Sequence, residues 1–181
     1  QIVVEKFSSD NGAFHETAND AEKLLIRQIS GYDGVEPSGN SIAAMAFLKL
    51  SAYLIKTELI QTAEKIFLSF NDELMEYGLN STYMLQALHL YLGGLKEVAI
   101  IGKKNDALTQ NLLTTVRKGF FPNSVFAFSY EEDVDINAKT IPLLRDRKLQ
   151  NGKATAYVCR VGACLPPVQT SEELVKLLSY G

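Results

Sequence analysis

The residues best suited to acid and base chemistry lie in one short stretch, DGVEPSGNS, at positions 33–41. Asp33 and Glu36 are close enough in sequence to form the pair of carboxylates that hydrolysis of a glycoside requires. The hydroxyl of Ser38 and the amide of Asn40 can hydrogen-bond the hydroxyl groups of such a substrate. The stretch therefore predicts Asp33 and Glu36 as catalytic residues, with a substrate bound beside them.

The same stretch also has a purely structural interpretation. Pro37 and Gly39 are typical of a turn, and Asn40 or Ser41 can cap the helix that follows. Caps before helices are commoner than active sites, so the residue types alone favour the cap. A loop that leads into a buried helix is nevertheless a good place for a site, because it lies at the mouth of whatever the helix lines.

Cys159 and Cys164 are a second candidate for chemistry, as a redox pair. Their spacing is not the redox C-x-x-C, and a disulfide between them requires the chain to fold back at the end of a strand. No metal site is predicted, because two thiols fall short of the four ligands of structural zinc, and His15 and His89 lie far away in sequence. The pattern favours two reduced thiols, with a reversible disulfide and then a metal as alternatives.

The middle of the chain predicts three helices. Residues 42–56 are apolar in nearly every direction around a helix, which predicts a helix buried on most of its circumference. Residues 58–76 carry their apolar side chains on one stripe, and residues 82–92 form a third helix that ends at Gly93. One inner helix among outer ones is typical of a layered helical array, such as an α/α toroid or a bundle.

Short β-prone runs precede these helices. IVVEKF and GAFHET, with SSDN and a glycine at their junction, predict a β hairpin. The run EKLLIRQIS extends this ribbon as a further strand, with a short helix as the alternative. The first part of the chain is therefore predicted to be a helical lobe with a β ribbon at its N-terminal end.

After Gly94 the spacing at which apolar residues recur along the chain changes. EVAIIG predicts a strand buried on both faces, and SVFAFSY predicts a second strand. Between them, ALTQNLLTTVRK predicts a helix capped by Asn105 or Asp106, so the three segments make a βαβ unit. ATAYVC and EELVKLLS add a third strand and a last helix. The sequence thus predicts an α+β fold with a boundary near residue 94, where residues 1–94 form the helical lobe and residues 95–181 a small α/β lobe.

No cofactor is predicted for either lobe. Gly102, after the first strand, lacks the further glycines of a dinucleotide fingerprint, and no G-K-S/T follows it. The tyrosines and phenylalanines lie at core spacing and need no cofactor to explain them.

The composition excludes some partners. A formal net charge of −3 and a pI of about 5.5 give no attraction to nucleic acid or to anionic membranes. Lys49, Ser51 and Lys56 interrupt the longest apolar run, so no membrane span is predicted. Two cysteines are too few for a disulfide framework, which favours a reducing compartment, the cytoplasm. The first residues, QIVVEKFSSD, contain no initiator Met and indicate a piece of a longer chain.

Three stretches, DGVEPSGNSIAAMAFLKLS, EVAIIG and TAYVCRVGACLPPVQTSEELVKLL, carry a resemblance to a known family. The chain resembles the C-terminal region of the thioredoxin-domain-containing proteins of the spermatogenesis-associated type over essentially its whole length. The more specific elements are P-S-x-N-S at residues 37–41 and the paired cysteines followed by Pro166 and Pro167.

This resemblance implies a fold and a ligand class. Proteins of this family look like an N-terminal thioredoxin-like domain joined to an α/α toroid. That toroid is related to six-hairpin glycosidases and to N-acylglucosamine 2-epimerase. Helices 42–56, 58–76 and 82–92 are then part of the toroid, with Asp33, Glu36 and Asn40 near its central mouth. The implied partners are a carbohydrate-like small molecule and the thioredoxin-like domain of the same protein.

Three functions remain open on this evidence. The toroid binds or processes a carbohydrate-like molecule, or the chain is a non-catalytic scaffold for the thioredoxin-like domain, or Cys159 and Cys164 act as a thiol redox element. Because a few toroid helices expose faces meant for missing neighbours, the isolated chain is also predicted to self-associate.

Overall fold

The computed structural model describes residues 2–160 and 162–179 and has the predicted mixed α+β fold. The chain divides into two compact units. The first unit comprises Gln1–Ser51 and Lys56–Leu92, and the second comprises Ala52–Ile55 and Gly93–Gly181. None of the helices in the described part of the chain is both long and apolar enough to cross a membrane.

The first unit is built from helices, and the three predicted ones are confirmed. They are preceded by a short N-terminal helix, and the second predicted helix is divided in two at Phe70. A 3₁₀ turn at Gly78–Asn80 leads into the last of them. The helices are α1 (Ile2–Phe7), α2 (Gly39–Leu54), α3 (Thr57–Ser69), α4 (Asn71–Tyr77) and α5 (Thr82–Gly93).

Helix α2 is buried around most of its circumference, as its apolar composition predicts. Of its 16 residues, the exposed ones are Gly39, Ile42 and Leu50, with the two apolar side chains 50% and 44% exposed. Small residues such as Ala44 and Ser41 are fully buried along it, which allows neighbouring chain to approach closely.

The predicted N-terminal β ribbon is wrong. IVVEKF forms α1, and a single bridge between Ser8 and Phe14 is the one strand-like pairing of this region in the described residues. Residues 22–30 form neither strand nor helix. The physical reason is that side chains satisfy backbone groups here: both the N–H and the carbonyl of Phe14 bond the amide of Asn40, at 2.8 and 2.9 Å.

The second unit contains a four-stranded sheet, in which β2 (Ser124–Tyr130), β1 (Lys96–Gly102), β3 (Thr155–Arg160) and β4 (Ala163–Cys164) lie side by side in that order. β1 pairs parallel with β2 across the connecting helix α6, which confirms the predicted βαβ unit, and β3 pairs antiparallel with both β1 and β4. The elements are β1 (Lys96–Gly102), α6 (Ala107–Lys118), β2 (Ser124–Tyr130), α7 (Val134–Asn137), β3 (Thr155–Arg160), β4 (Ala163–Cys164) and α8 (Ser171–Ser179).

Two apolar cores cover the two faces of this sheet, so the unit has three layers. On one face, Val98 and Ile100 of β1 pack with buried leucines of α6 and α8. On the other face, Ala99 and Ile101 pack with Leu143 and other residues of the segment after β2, and with the last turn of α2. β1 is therefore buried on both faces, as its continuous apolar run predicts.

The turn after β1 is a helix cap. The side chain of Asp106 accepts hydrogen bonds from the N–H and the hydroxyl of Thr109, both at 2.8 Å, which confirms the predicted cap of α6. A Cβ on Gly102 would lie 2.3 Å from the Thr109 side chain, so the glycine is needed for this close approach. Packing thus accounts for Gly102 without a bound phosphate.

Candidate ligand site beside the acidic loop

Asp33 joins the start of two helices. Its Oδ1 accepts the backbone N–H of Ser38, at the start of α2, at 2.8 Å. Its Oδ2 accepts the backbone N–H groups of Tyr83 and Met84, in the first turn of α5, at 2.8 and 3.1 Å. Both helix N-termini present unpaired N–H groups and a positive dipole end, so one carboxylate stabilises both.

These hydrogen bonds control the ionisation of Asp33. Partial burial raises the pKa of the carboxyl, but the bonds from Ser38, Ser41, Met84 and Tyr83 outweigh burial and lower the pKa below its usual value of 3.8. Asp33 is therefore ionised at neutral pH. A general acid needs the opposite shift.

Asn40 is buried, and its side chain connects distant parts of the first unit through hydrogen bonds. Its side chain is 2% exposed. Besides the two bonds to Phe14, its Nδ2 donates to the carbonyl of Ser30 at 2.9 Å. Both ends of the amide are thus bonded to the protein backbone, and Asn40 holds residues 14 and 30 against the start of α2.

The other two candidate residues lie at the surface of the loop. Ser38 caps α2: its hydroxyl accepts the N–H of Ser41 at 3.1 Å and donates to the Ser41 hydroxyl at 2.8 Å. The predicted caps, Asn40 and Ser41, lie two and three residues after Ser38, within α2. Glu36 is exposed and makes no hydrogen bond to another described residue. Catalysis by Asp33 and Glu36, and substrate binding by Ser38 and Asn40, stay predictions.

A cavity of about 230 Å³ lies next to this loop, within the first unit. Aromatic rings and polar groups line it together. Its lining residues are Ile29, Ser30, Gly31, Tyr32, Phe70, Glu73, Tyr77, Asn80 and Ser81. Tyr32 and Tyr77 are 62% and 56% exposed, so both side chains are accessible from solvent.

Asn40 and Asp33 hold the walls of this cavity without lining it. Asn40 bonds the carbonyl of Ser30, and the N–H of Asp33 donates to the carbonyl of Asn80 at 2.7 Å. Ser81 completes the junction by donating to the carbonyl of Gly31 at 2.8 Å. A Cβ on Gly31 would lie 2.7 Å from the Phe70 ring, so only glycine allows this wall to pack.

Sequence reasoning missed the residues that line the cavity. The general expectation that the tyrosines lie at core spacing does not hold for Tyr32 and Tyr77, which are largely exposed. Glu73 lies in the acidic first turn of α4, where the carboxylate also suits the helix N-terminus. The available signal was the position of Tyr32, directly before Asp33.

The predicted reduced state of the two cysteines is wrong. Cys159 and Cys164 are joined by a disulfide with an S–S distance of 1.99 Å. The reason is the hairpin of β3 and β4, whose register places the two residues directly opposite each other. The spacing alone did not reveal this fold-back. Among residues 2–160 and 162–179, no group of three or more His, Cys, Asp or Glu side chains can hold a metal ion.

Comparison with known proteins adds context for both units. No protein-family model matches the chain. It is 27% identical over 171 residues to spermatogenesis-associated protein 20 of Homo sapiens, covering 94% of this chain and 22% of that protein. The protein of the same name from Rattus norvegicus is 26% identical over 171 residues, with the same coverage. An uncharacterized protein of Caenorhabditis elegans is 27% identical over 175 residues, covering 96% of this chain and 23% of the relative.

The chain therefore spans about a fifth of the length of the curated relatives that it matches. This coverage fits the predicted C-terminal segment of a larger protein. The toroid and the thioredoxin-like domain implied by the resemblance stay predictions.

Proposed function

We propose that this chain is the ligand-binding part of a larger protein. We propose that it holds a carbohydrate-like small molecule in the cavity beside the acidic loop, the stretch at residues 33–41. The observation that carries the proposal is the lining of that cavity. Tyr32 and Tyr77 are exposed aromatic residues in this lining, and Glu73 and Asn80 add a carboxylate and an amide. Sugars present both apolar C–H faces and hydroxyl groups, so they need this mixture.

In this proposal the loop residues build the site and the cavity residues bind the ligand. The carboxylate oxygens of Asp33 accept three backbone N–H groups, which leaves little capacity for a substrate. Asn40 is buried and bonded at both ends of its amide. Glu36, at the exposed tip, is the one loop candidate that remains accessible to solvent without such bonds among the described residues.

Isothermal titration with glucose, galactose and N-acetylglucosamine tests the proposal. We expect at least one hexose to bind, and Tyr32→Ala to weaken its binding about 3- to 10-fold, since an aromatic contact is worth about 0.5–1.5 kcal/mol. Tyr83→Phe is the matched control, because Tyr83 lies in the same unit but does not line the cavity. Absence of binding across the panel, or equal loss in both variants, would overturn the proposal.

The scaffold function is the second candidate, and exposed apolar side chains favour it. In the first unit, Leu68, Met75, Leu79 and Leu92 are 69%, 83%, 88% and 75% exposed. Such faces are typical of surfaces that contact another part of a larger protein. A pull-down of the chain with the remainder of the larger protein, expressed separately, tests this function: charge-introducing variants at Leu68 and Met75 are expected to abolish the association.

A further inference from the structure

The Cys159–Cys164 disulfide has one sulfur in the core and one at the surface. Cys159 is 2% exposed on β3, whereas Cys164 is exposed on the edge strand β4. A thiolate from solvent can therefore reach Sγ of Cys164 more readily than Sγ of Cys159. In thiol–disulfide exchange, access decides which sulfur is attacked, and the other sulfur leaves as a thiolate.

One cation is fixed beside both sulfurs. The Arg147 Nη2 lies 3.3 Å from Sγ of Cys159 and 3.4 Å from Sγ of Cys164. The Arg147 guanidinium lies over the ring of Tyr157, 4.9 Å from its centroid, and the Tyr157 hydroxyl donates to the carbonyl of Lys148 at 2.6 Å. The segment that carries Arg147 is thus attached to β3, and the position of its charge is set.

This cation suits the reduced state better than the oxidised one. A disulfide is neutral and gains little from a guanidinium, whereas a departing thiolate gains a full ion pair. Glu97 is the acid that faces the same place, directly opposite Cys159 on β1. Burial raises the pKa of Glu97, and the positive charge of Arg147 opposes that shift. The charges of the two side chains therefore interact.

We propose that Cys159–Cys164 is a thiol–disulfide exchange site that accepts two electrons from an external dithiol. Cys164 is the attacked residue, Cys159 is the leaving thiolate, and Arg147 stabilises that thiolate. This activity is independent of the carbohydrate-binding cavity.

The exchange takes place in two displacements. A thiolate of the dithiol attacks Sγ of Cys164, a mixed disulfide forms, and the Cys159–Cys164 bond breaks with its electron pair on Sγ of Cys159. The second thiol of the dithiol, deprotonated, then attacks its own sulfur in the mixed disulfide and releases Cys164 as a thiolate. The dithiol ends as a disulfide, and the two protons that it lost are taken up by the protein thiolates or by water.

The disulfide is a weak candidate for a purely structural staple. It closes a segment with a sequence separation of five, and short loops constrain the unfolded chain least. Backbone bonds already hold the returning segment: the N–H of Leu165 bonds the carbonyl of Val158 at 2.9 Å, and Ala156 and Val168 exchange two bonds at 2.8 and 2.9 Å. We therefore expect the reduced chain to stay folded.

The rate of reduction by dithiothreitol tests the proposal. Samples are quenched with N-ethylmaleimide, and the alkylated thiols are counted by mass. Arg147→Gln is expected to slow reduction about 3- to 10-fold, because the leaving thiolate loses its counter-charge. Arg145→Gln is the matched control: it removes the same charge two residues away, at an exposed position, and is expected to leave the rate unchanged.

Two further measurements separate this site from a structural disulfide. A short pulse of glutathione followed by peptide mapping is expected to place the mixed disulfide on Cys164. Arg147→Lys, which keeps the charge, is expected to restore most of the rate if Arg147→Gln perturbs folding. Equal rates in Arg147→Gln and Arg145→Gln, glutathione on Cys159, or unfolding of the chain upon reduction would each overturn the proposal.

Discussion

At the scale of single residues, the main result is that Asp33, Ser38 and Asn40 direct their side-chain hydrogen bonds to the protein itself. Asp33 accepts N–H groups from the start of α2 and of α5, and Asn40 binds the backbone of residues 14 and 30. These contacts give both residues a structural function that is independent of any ligand. Their removal is therefore expected to destabilise the first unit.

Asp33→Asn is expected to lower the free energy of unfolding by about 1–2 kcal/mol, since a charged acceptor is lost at two helix N-termini. The folded-state pKa of Asp33 is lowered, so its stabilisation is present above the usual value of 3.8 and is lost as the pH falls through the folded-state pKa. Urea unfolding at pH 7 and at pH values below 3.8 measures this.

Asp10→Asn, at an exposed position in the same unit, is the control and is expected to change stability little. A difference between wild type and Asp33→Asn that persists unchanged as the pH falls below 3.8 contradicts this account of the Asp33 carboxylate.

The sequence identified the residues of this loop but not their partners. Asn40 stands out by type, yet Phe14 and Ser30, which it binds, lie 26 and 10 positions away. Residue spacing gives no information on such distant pairs. The exposure of individual tyrosines could not be predicted from the sequence either. Tyr32 and Tyr77 are the same residue type whether their rings lie in the core or line a cavity.

At the scale of secondary-structure elements, the end of α2 carries local strain. Ile55 follows the helix with φ of 53°, in the left-handed region that disfavours β-branched residues. The N–H of Lys56 bonds the carbonyl of Ser51 at 3.0 Å, which is the pairing of a helix end closed by a left-handed residue. Glycine is the usual residue at such a position.

Ile55→Gly is expected to stabilise the chain by about 0.5–1 kcal/mol, because relief of about 1–2 kcal/mol of left-handed strain exceeds the entropic cost of glycine. The Ile55 side chain is 64% exposed, so little apolar burial is lost. Thermal unfolding measures the change. Lys56→Gly, at a residue with φ of −121°, is the control and is expected to destabilise; the opposite order of the two variants would refute the assignment.

Most elements were predictable from their apolar pattern, and the N-terminal segment was not. The patterns of α2 and α6 extend over enough residues to indicate helices, and the continuous apolar run of β1, bounded by glycines, indicates a buried strand. IVVEKF is only six residues long, and its β-branched residues favour a strand locally. It nevertheless forms α1, and among residues 2–160 and 162–179 no strand pairs with it.

At the scale of the whole molecule, the first unit exposes an apolar groove that another surface can cover. We define this groove by its lining residues Glu64, Phe67, Leu68, Asn71, Leu74, Met75, Leu88 and Tyr91. The curated relatives are about five times longer than the segment that this chain matches, so such a face can be covered in a larger protein. In the isolated chain, a second copy is the available partner.

The isolated chain is therefore expected to self-associate, with an apparent mass that rises with concentration in size-exclusion chromatography with light scattering. Leu68→Glu and Met75→Glu, in the apolar groove, are expected to return it to the monomer because they place charge on the apolar surface. Ile136→Glu, 64% exposed in the second unit, is the control. A monomer at every concentration would refute the prediction.

The α+β class and the relation to a longer protein followed from the sequence. The toroid stays a prediction, because about four fifths of the length of the curated relatives lies outside the matched segment. A closed array of helices is a property of all its hairpins together, and three predicted helices do not define it.

The most direct test of the proposed function compares two carboxylates by titration with the hexose that binds. Glu73 lines the cavity, whereas Glu36 lies at the exposed tip of the loop and does not line it. Glu73→Gln is expected to weaken binding about 10- to 150-fold, since a hydrogen bond to a charged group is worth about 1.5–3 kcal/mol, and Glu36→Gln is expected to leave binding unchanged. Loss of binding in Glu36→Gln with full binding in Glu73→Gln would contradict the account and return the site to the loop carboxylates.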